Sequence, residues 1–330
     1  MTLQLSLSAN TRLSLSPSGI ETYLSCPRRY FYGHIMGLKA PSDSLEQLLG
    51  LLVHDVLEQL FSKPEQDVTA ETLYQIQAQM FHSASTLSDN ETQKPLMELR
   101  QLPRLKRIQL QYLLKKSFEN LCESGFIHRF TKEYRVTQSE KKLFTAHPFG
   151  LNDFNLFGRM DALLQHQQTG RWVIVDYKTG RGQYKKATQE KNQDDFEASI
   201  TRTIDWDCPD YSKRFYKHSL QLPFYWLMLK QQPAFQNVPV DVALQFVRPG
   251  FYYGSPFLLV KDETLQSTLP KLQRILNDAV FQPLRQTQTY AALGDTSTCQ
   301  RCSYVTICDQ ATSCDQAASG EQDHDEGGRD

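Results

Sequence analysis

The segment RWVIVDYKTG, residues 171–180, decides how this chain is read. Trp172-Val173-Ile174-Val175 is a short, β-branched apolar run closed by the turn signal Thr179-Gly180, which predicts a buried strand. Along a strand, side chains two apart point to one side, so Asp176 and Lys178 share a site at its end. Alone, Asp-x-Lys is common, and a strand-end acid beside a solvated lysine gives the same pattern.

The residues just upstream give the pair more meaning. A second strand, from Phe154 to His166, carries Asp161 within FGRMDALL, and the turn around Gln168-Thr169-Gly170 can bring Asp161 and Asp176 together. Converging hard oxygen ligands suit Mg²⁺ or Mn²⁺. An ion held there polarises a phosphate oxygen and acidifies a bound water, while Lys178 orients that water or balances phosphate charge.

Working outward, Leu48, Leu49, Leu52, Val53, Val56, Leu57 and Leu60 recur with helical period over Leu45–Phe61. Two more helices are expected between Thr69 and Gly125, then a strand over Phe126–Gln138 ahead of the two already described. Ser16 is placed to cap a helix with Pro17 in its first turn. Residues 180–217 read as a polar excursion, followed by a helix near Ser219–Gln231, a strand over Asp241–Arg248 and a hairpin partner in Phe251–Leu259. A last helix is expected over Thr264–Phe281. The fold class is α/β, with an αβββαβ core between helical N-terminal and cysteine-rich C-terminal elaborations.

At 330 residues and 40% hydrophobic content, the chain can bury a core without staples. Its formal net charge of −1 excludes a global field for nucleic acid, so any basic surface is local. Apolar runs such as Leu220–Leu229 fall short of the roughly 18–20 residues that span a bilayer. The opening MTLQLSLSANTRLSLS does not read as a secretory signal, so the expected location is cytoplasmic. An odd count of 7 cysteines then argues for metal binding over disulfides.

Two helical i, i+4 pairs flank the acids. In GLLVHDVLE, His54 and Glu58 lie on one face, and His54 offers a ligating nitrogen. In LQLPFYWLML, Gln221 and Tyr225 do the same and can reach DNA or the acids. Taken singly, each reads equally as a packed or surface residue. The run Arg28-Arg29-Tyr30-Phe31-Tyr32 either contacts phosphates and stacks bases or packs its rings inward.

Taken in order, GLLVHDVLE, GRMDALL, VDYKTG and QLPFY resemble the motifs of PD-(D/E)XK nucleases of the RecB/AddB-like branch: G-x-x-x-H, Asp, D-x-K and Q-x-x-x-Y. Met160 stands where the superfamily name has proline. The resemblance implies a restriction-endonuclease-like core in which His54, Asp161, Asp176 and the Tyr177 carbonyl hold Mg²⁺ or Mn²⁺. Lys178 is then the catalytic lysine, with Gln221 and Tyr225 in the fourth motif and Glu58 an accessory acid.

Cys299-x-x-Cys302-x₅-Cys308 offers three thiolates, and a soft metal centre wants a fourth. Proximity favours Cys314. The resemblance instead implies Cys26 with Cys299, Cys302 and Cys308 around a [4Fe–4S] cluster, as in AddB-like nucleases and a CRISPR-associated exonuclease family, with zinc as the structural alternative. Joining residues 26 and 299 closes a loop of about 270 residues, worth on the order of 5 kcal/mol of chain entropy. Cys122 and Cys208 have no spacing partner.

The expected divisions are 1–44, a helical segment with the first cluster cysteine; 45–260, the nuclease core; 261–316, the last helix and cysteines; and 317–330, an acidic disordered tail. No P-loop is present, so a helicase partner would supply any motor. The expected function is a DNA exonuclease in recombination or double-strand break repair. A non-catalytic, cluster-stabilised DNA-binding scaffold and a CRISPR-adaptation exonuclease are the alternatives.

Overall fold

The run Trp172–Val175 does form a strand, and in the computed structural model it lies inside a six-stranded mixed sheet. The structure describes residues 13–38, 45–61, 69–86, 94–179, 189–201, 220–247, 257–286, 290, 299 and 302–308. Cys208, Cys314, the 317–330 tail and most of the 180–217 excursion lie outside these.

Strands β1 (Leu13–Leu15), β2 (Tyr134–Ala146), β3 (Phe154–His166), β4 (Trp172–Lys178), β5 (Val240–Phe246) and β6 (Phe257–Val260) build the sheet. Its order is β1-β3-β4-β5-β6, with β2 paired to β3. The β2–β3, β3–β4 and β5–β6 ladders are antiparallel, whereas β1–β3 and β4–β5 are parallel. Parallel β4 and β5 need a crossover. That crossover includes α8 (Gln189–Thr201) and α9 (Gln221–Lys230).

Helices cover both faces. Against one pack α3 (Leu45–Phe61), α4 (Ala70–Thr86), α5 (Lys94–Gln101) and α6 (Arg104–Glu123), meeting Ala162, Leu164, Val173, Val175 and Ala243. Against the other pack α1 (Pro17–Ser25), α9 and the C-terminal helices, meeting Leu163, Ile174, Val242 and Leu244. Alternate β4 residues thus enter opposite cores, as the period of two requires. All seven apolar positions expected on α3 are buried, each worth roughly 1.5–3 kcal/mol of gross transfer energy. From α3 onward, the core order with its insertions is αβββαβ. Among the described residues, no helix is long and apolar enough to cross a membrane.

Ser16 caps α1 by accepting a 3.0 Å hydrogen bond from the Gly19 amide. Other expectations need correction. Three helices, not two, fill the stretch between Thr69 and Gly125. Phe126–Glu133 is helical, comprising a short α7 (Phe126–His128) and a π-helical turn, so strand β2 starts at Tyr134. Phe126 and Phe130, one turn apart, stack at 4.2 Å and meet Phe61, so the aromatic run serves a helical face. The last helix is interrupted at Thr268, between α10 (Asp262–Ser267) and α11 (Leu269–Arg274), because Pro270 lacks the amide a continuous helix needs. A π-helical turn, Ile275–Phe281, then leads into α12 (Gln282–Gln286). In the Arg28–Tyr32 run the rings turn inward: Tyr30, Phe31 and Tyr32 are buried, and Arg28 Nε donates to the Tyr290 carbonyl.

A buried polar hub ties β5, α9 and α10 together. Asp262 Oδ1 accepts from Trp226 Nε1 at 2.8 Å and from the Val240 amide at 3.1 Å. The Asp262 amide in turn donates to Asp241, whose carboxylate Arg171 grips through two nitrogens. Removing the Asp262 carboxylate strands two donors in the core. Asp262→Ala is expected to cost about 2–5 kcal/mol in urea unfolding, and a loss below about 0.5 kcal/mol would refute the hub.

Candidate active site

The β3–β4 ladder sets the site. Its last described pair is Ala162 with Val175, and the same register would put Asp161 opposite Asp176. There the ladder stops. Instead, Asp161 Oδ2 accepts a 2.7 Å hydrogen bond from the Tyr177 amide, so a carboxylate takes the place of a strand carbonyl. Both acids are buried, Asp176 at 2% exposure.

Helix α3 reaches this point through Gly50. A Cβ there would sit 3.0 Å from Thr179 Oγ1, so glycine lets the helix cross close over the end of β4. One turn later, His54 Nδ1 lies 3.4 Å from Asp161 Oδ1 and 3.3 Å from Glu140 Oε1. His54, Glu140 and Asp161 each offer a ligand atom within 4.8 Å of the others, and among the described residues this is the one such group of three or more metal-ligating side chains. Burial lowers the His54 pKa, but hydrogen bonds to Asp161 and Glu140 overcome it and raise the value to about 10. Burial pushes Asp176 up to about 6, with the Asp161 charge adding to the rise and Lys178 opposing it. Asp176 Oδ2 is ion-paired with Lys178. Crowded, buried carboxylates with an imidazole among them are a donor set that suits a divalent cation.

From the other face of the sheet, α9 positions the lysine. Lys178 Nζ donates to Gln221 Oε1 at 2.9 Å, and Gln221 Nε2 donates to the Tyr225 hydroxyl at 3.0 Å. The structure therefore joins the residues singled out in the sequence: His54 with Asp161, Asp161 with the Tyr177 backbone, and Asp176 with Lys178, Gln221 and Tyr225. Glu58 stands further out, 3.7 Å from Arg159, which also pairs with Glu140. Sequence reasoning missed Glu140 because Ser139-Glu140-Lys141-Lys142 reads as a polar surface stretch; only its position opposite Asp161 distinguishes it.

Of the four cysteines assigned to a cluster, Cys26 sits between α1 and α2 (Pro27–Tyr30), and the Cys302 amide bonds the Cys299 carbonyl. Residues 32–38 and 304–307 pack together. Tyr32 donates to the Ile307 carbonyl at 3.3 Å, Tyr304 donates to the Leu38 carbonyl at 2.8 Å, and Tyr304 lies over Gly33.

A mixed sheet whose parting strands present two acids and a lysine beside a helical histidine defines a restriction-endonuclease-like nuclease core. The chain belongs to the PD-(D/E)XK nuclease superfamily, whose family model matches residues 14–309. Among solved structures it is similar to a candidate exonuclease from Eubacterium rectale, at 14% identity over 82% of this chain and 83% of that one, with a TM-score of 0.38. It is also similar to the protein SSO0001, at 10% identity over 92% and 87%, with a TM-score of 0.30. No curated protein matches the sequence significantly.

Gly158 on β3 makes room for the fourth motif, since a Cβ there would lie 2.7 Å from Tyr225 Cε1 and 3.0 Å from Met228 Cε. Gly158→Ala must push the Tyr225 ring, and with it Gln221, away from Lys178. The expected result is a loss of about 1–3 kcal/mol in denaturant unfolding. Wild-type stability would show that α9 can yield.

Proposed function

We propose that this chain is a Mg²⁺- or Mn²⁺-dependent deoxyribonuclease, acting as an exonuclease in recombination or double-strand break repair alongside a helicase partner. The observation that carries the catalytic part is the grouping of His54 and Asp161 beside the Asp176–Lys178–Gln221 chain. DNA as substrate, exonucleolytic action and the helicase partner rest on the motif resemblance.

In this reading His54, Asp161, Asp176 and the Tyr177 carbonyl hold the ion. A divalent ion in that position supplies Lewis-acid polarisation of the phosphate and a more acidic water. The protein's own groups do the rest. Lys178, held by Asp176 on one side and Gln221 on the other, points a fixed positive charge at the developing phosphate charge and orients the attacking water. Gln221 and Tyr225 act through Lys178 as positioning residues. Strand β4 and helix α3 keep the acids dry on their core sides, which strengthens these interactions.

The test is cleavage of single-stranded and duplex DNA with Mg²⁺ or Mn²⁺, comparing wild type with Asp176→Ala and Lys178→Ala. Each variant should fold and lose about 10²-fold or more of the rate. A folded wild type that binds DNA without cutting it would favour the scaffold reading.

The proposal includes a [4Fe–4S] cluster on Cys26, Cys299, Cys302 and Cys308, with a structural role. The packing of residues 32–38 on residues 304–307 supports it, because a cluster bridging the two ends needs them adjacent. Protein purified without oxygen should contain iron and acid-labile sulfide, and Cys26→Ser and Cys302→Ser should each lose both. Colourless protein carrying zinc would replace the cluster with the zinc alternative.

A further inference from the structure

The long β2–β3 ladder is bulged at Thr137, and further along it carries a second irregular residue, Glu140. Ser139 faces Ala162 and Lys141 faces Met160, which puts Glu140 across from Asp161. Glu140 adopts φ +51°, a left-handed conformation that costs any residue with a β-carbon and is rare within a strand. Its side chain is only 8% exposed. One carboxylate oxygen faces His54, and the other pairs with Arg159.

A surface ion pair does not account for this arrangement. The Arg159 side chain is 54% exposed, and pairs with so exposed a partner contribute little. They do not repay a strained backbone and a buried acid set beside a second buried acid, Asp161. His54, between the two carboxylates, offsets part of their repulsion, and a hard cation offsets more of it by turning the repulsion into shared coordination.

From this geometry we infer that Glu140 is a further ligand for the divalent ion, delivered from β2, and that Arg159 is its exchangeable counter-ion. The inference rests on the proposed metal site and deepens it: the ion would meet acids from three neighbouring strands and an imidazole from α3. Arg159 competes with the ion for the same carboxylate, so removing the arginine strengthens binding while removing the acid weakens it.

The test is Mn²⁺ binding to the full chain, followed by calorimetry and by the spin-resonance signal of free Mn²⁺, without DNA. Glu140→Gln keeps the side-chain volume and should weaken Mn²⁺ binding about tenfold or more, whereas Glu71→Gln on the remote α4 should bind as wild type does. Wild-type affinity in a folded Glu140→Gln overturns the inference. Asp161→Asn tells the two failures apart. If it loses the ion while Glu140→Gln keeps it, the error concerns Glu140 alone, and if both keep the ion, the proposed site falls too. Should Glu140→Gln not fold, the half-exposed Arg159→Gln decides: tighter Mn²⁺ binding than wild type supports the inference, and unchanged binding overturns it.

Discussion

The hydrogen bond from the Tyr177 amide to the Asp161 carboxylate is the contact around which the site is arranged. It falls where β3 and β4 stop pairing, and it fills a backbone donor that the parting of the strands would otherwise leave bare in the core. A side chain that replaces a strand carbonyl is fixed as firmly as the ladder itself. Asp161 therefore holds a buried charge at the mouth of the gap, and the neighbouring groups follow from that charge. His54 approaches it from α3, Asp176 is crowded by it, and Lys178 pairs with Asp176.

Buried charge is costly unless it is paired, and the site meets this cost from two sides of one sheet. The helical layer of α3 to α6 brings an imidazole, and the opposite layer, through α9, brings the amide that holds the lysine. Each approach depends on the absence of a side chain: Gly50 within α3, facing Thr179, and Gly158 under Tyr225. The polar hub at Asp241 and Asp262 anchors the strand beside β4 and the start of the C-terminal helices, so the divergence of β3 and β4 occurs in an otherwise rigid sheet.

Contacts between residues 31–38 and 290–307 add to this framework. Tyr304 and Tyr32 clasp residues 32–38 against residues 304–307, and Phe31 stacks on Tyr290 at 4.9 Å. Of the rings in the Arg28–Tyr32 run, Phe31 and Tyr32 are spent on this clasp, and Tyr30 packs against Tyr23 and His34. Strand β1, just ahead of α1, pairs directly with β3, so the N-terminal segment is part of the sheet that carries Asp161.

Much of this architecture was legible in local order. The strand ending in Asp176-Tyr177-Lys178, the α3 stripe with His54 and the Gln221–Tyr225 helix all declare themselves, because period and spacing along one segment dictate which side chains share a face. The helical Phe126–Phe130 turn and the break at Pro270 were misread, since aromatic residues serve either a strand or a helical face and the choice rests on partners such as Phe61. Glu140 was out of reach for a stronger reason. Nothing beside it in the chain marks it, and its place opposite Asp161 is a property of the β2–β3 register, which exists only after two distant strands have paired. The sequence by itself determined which chemical groups are present and which element carries each; the tertiary structure decided which of them meet, because burial and register bring charges together that the chain keeps far apart.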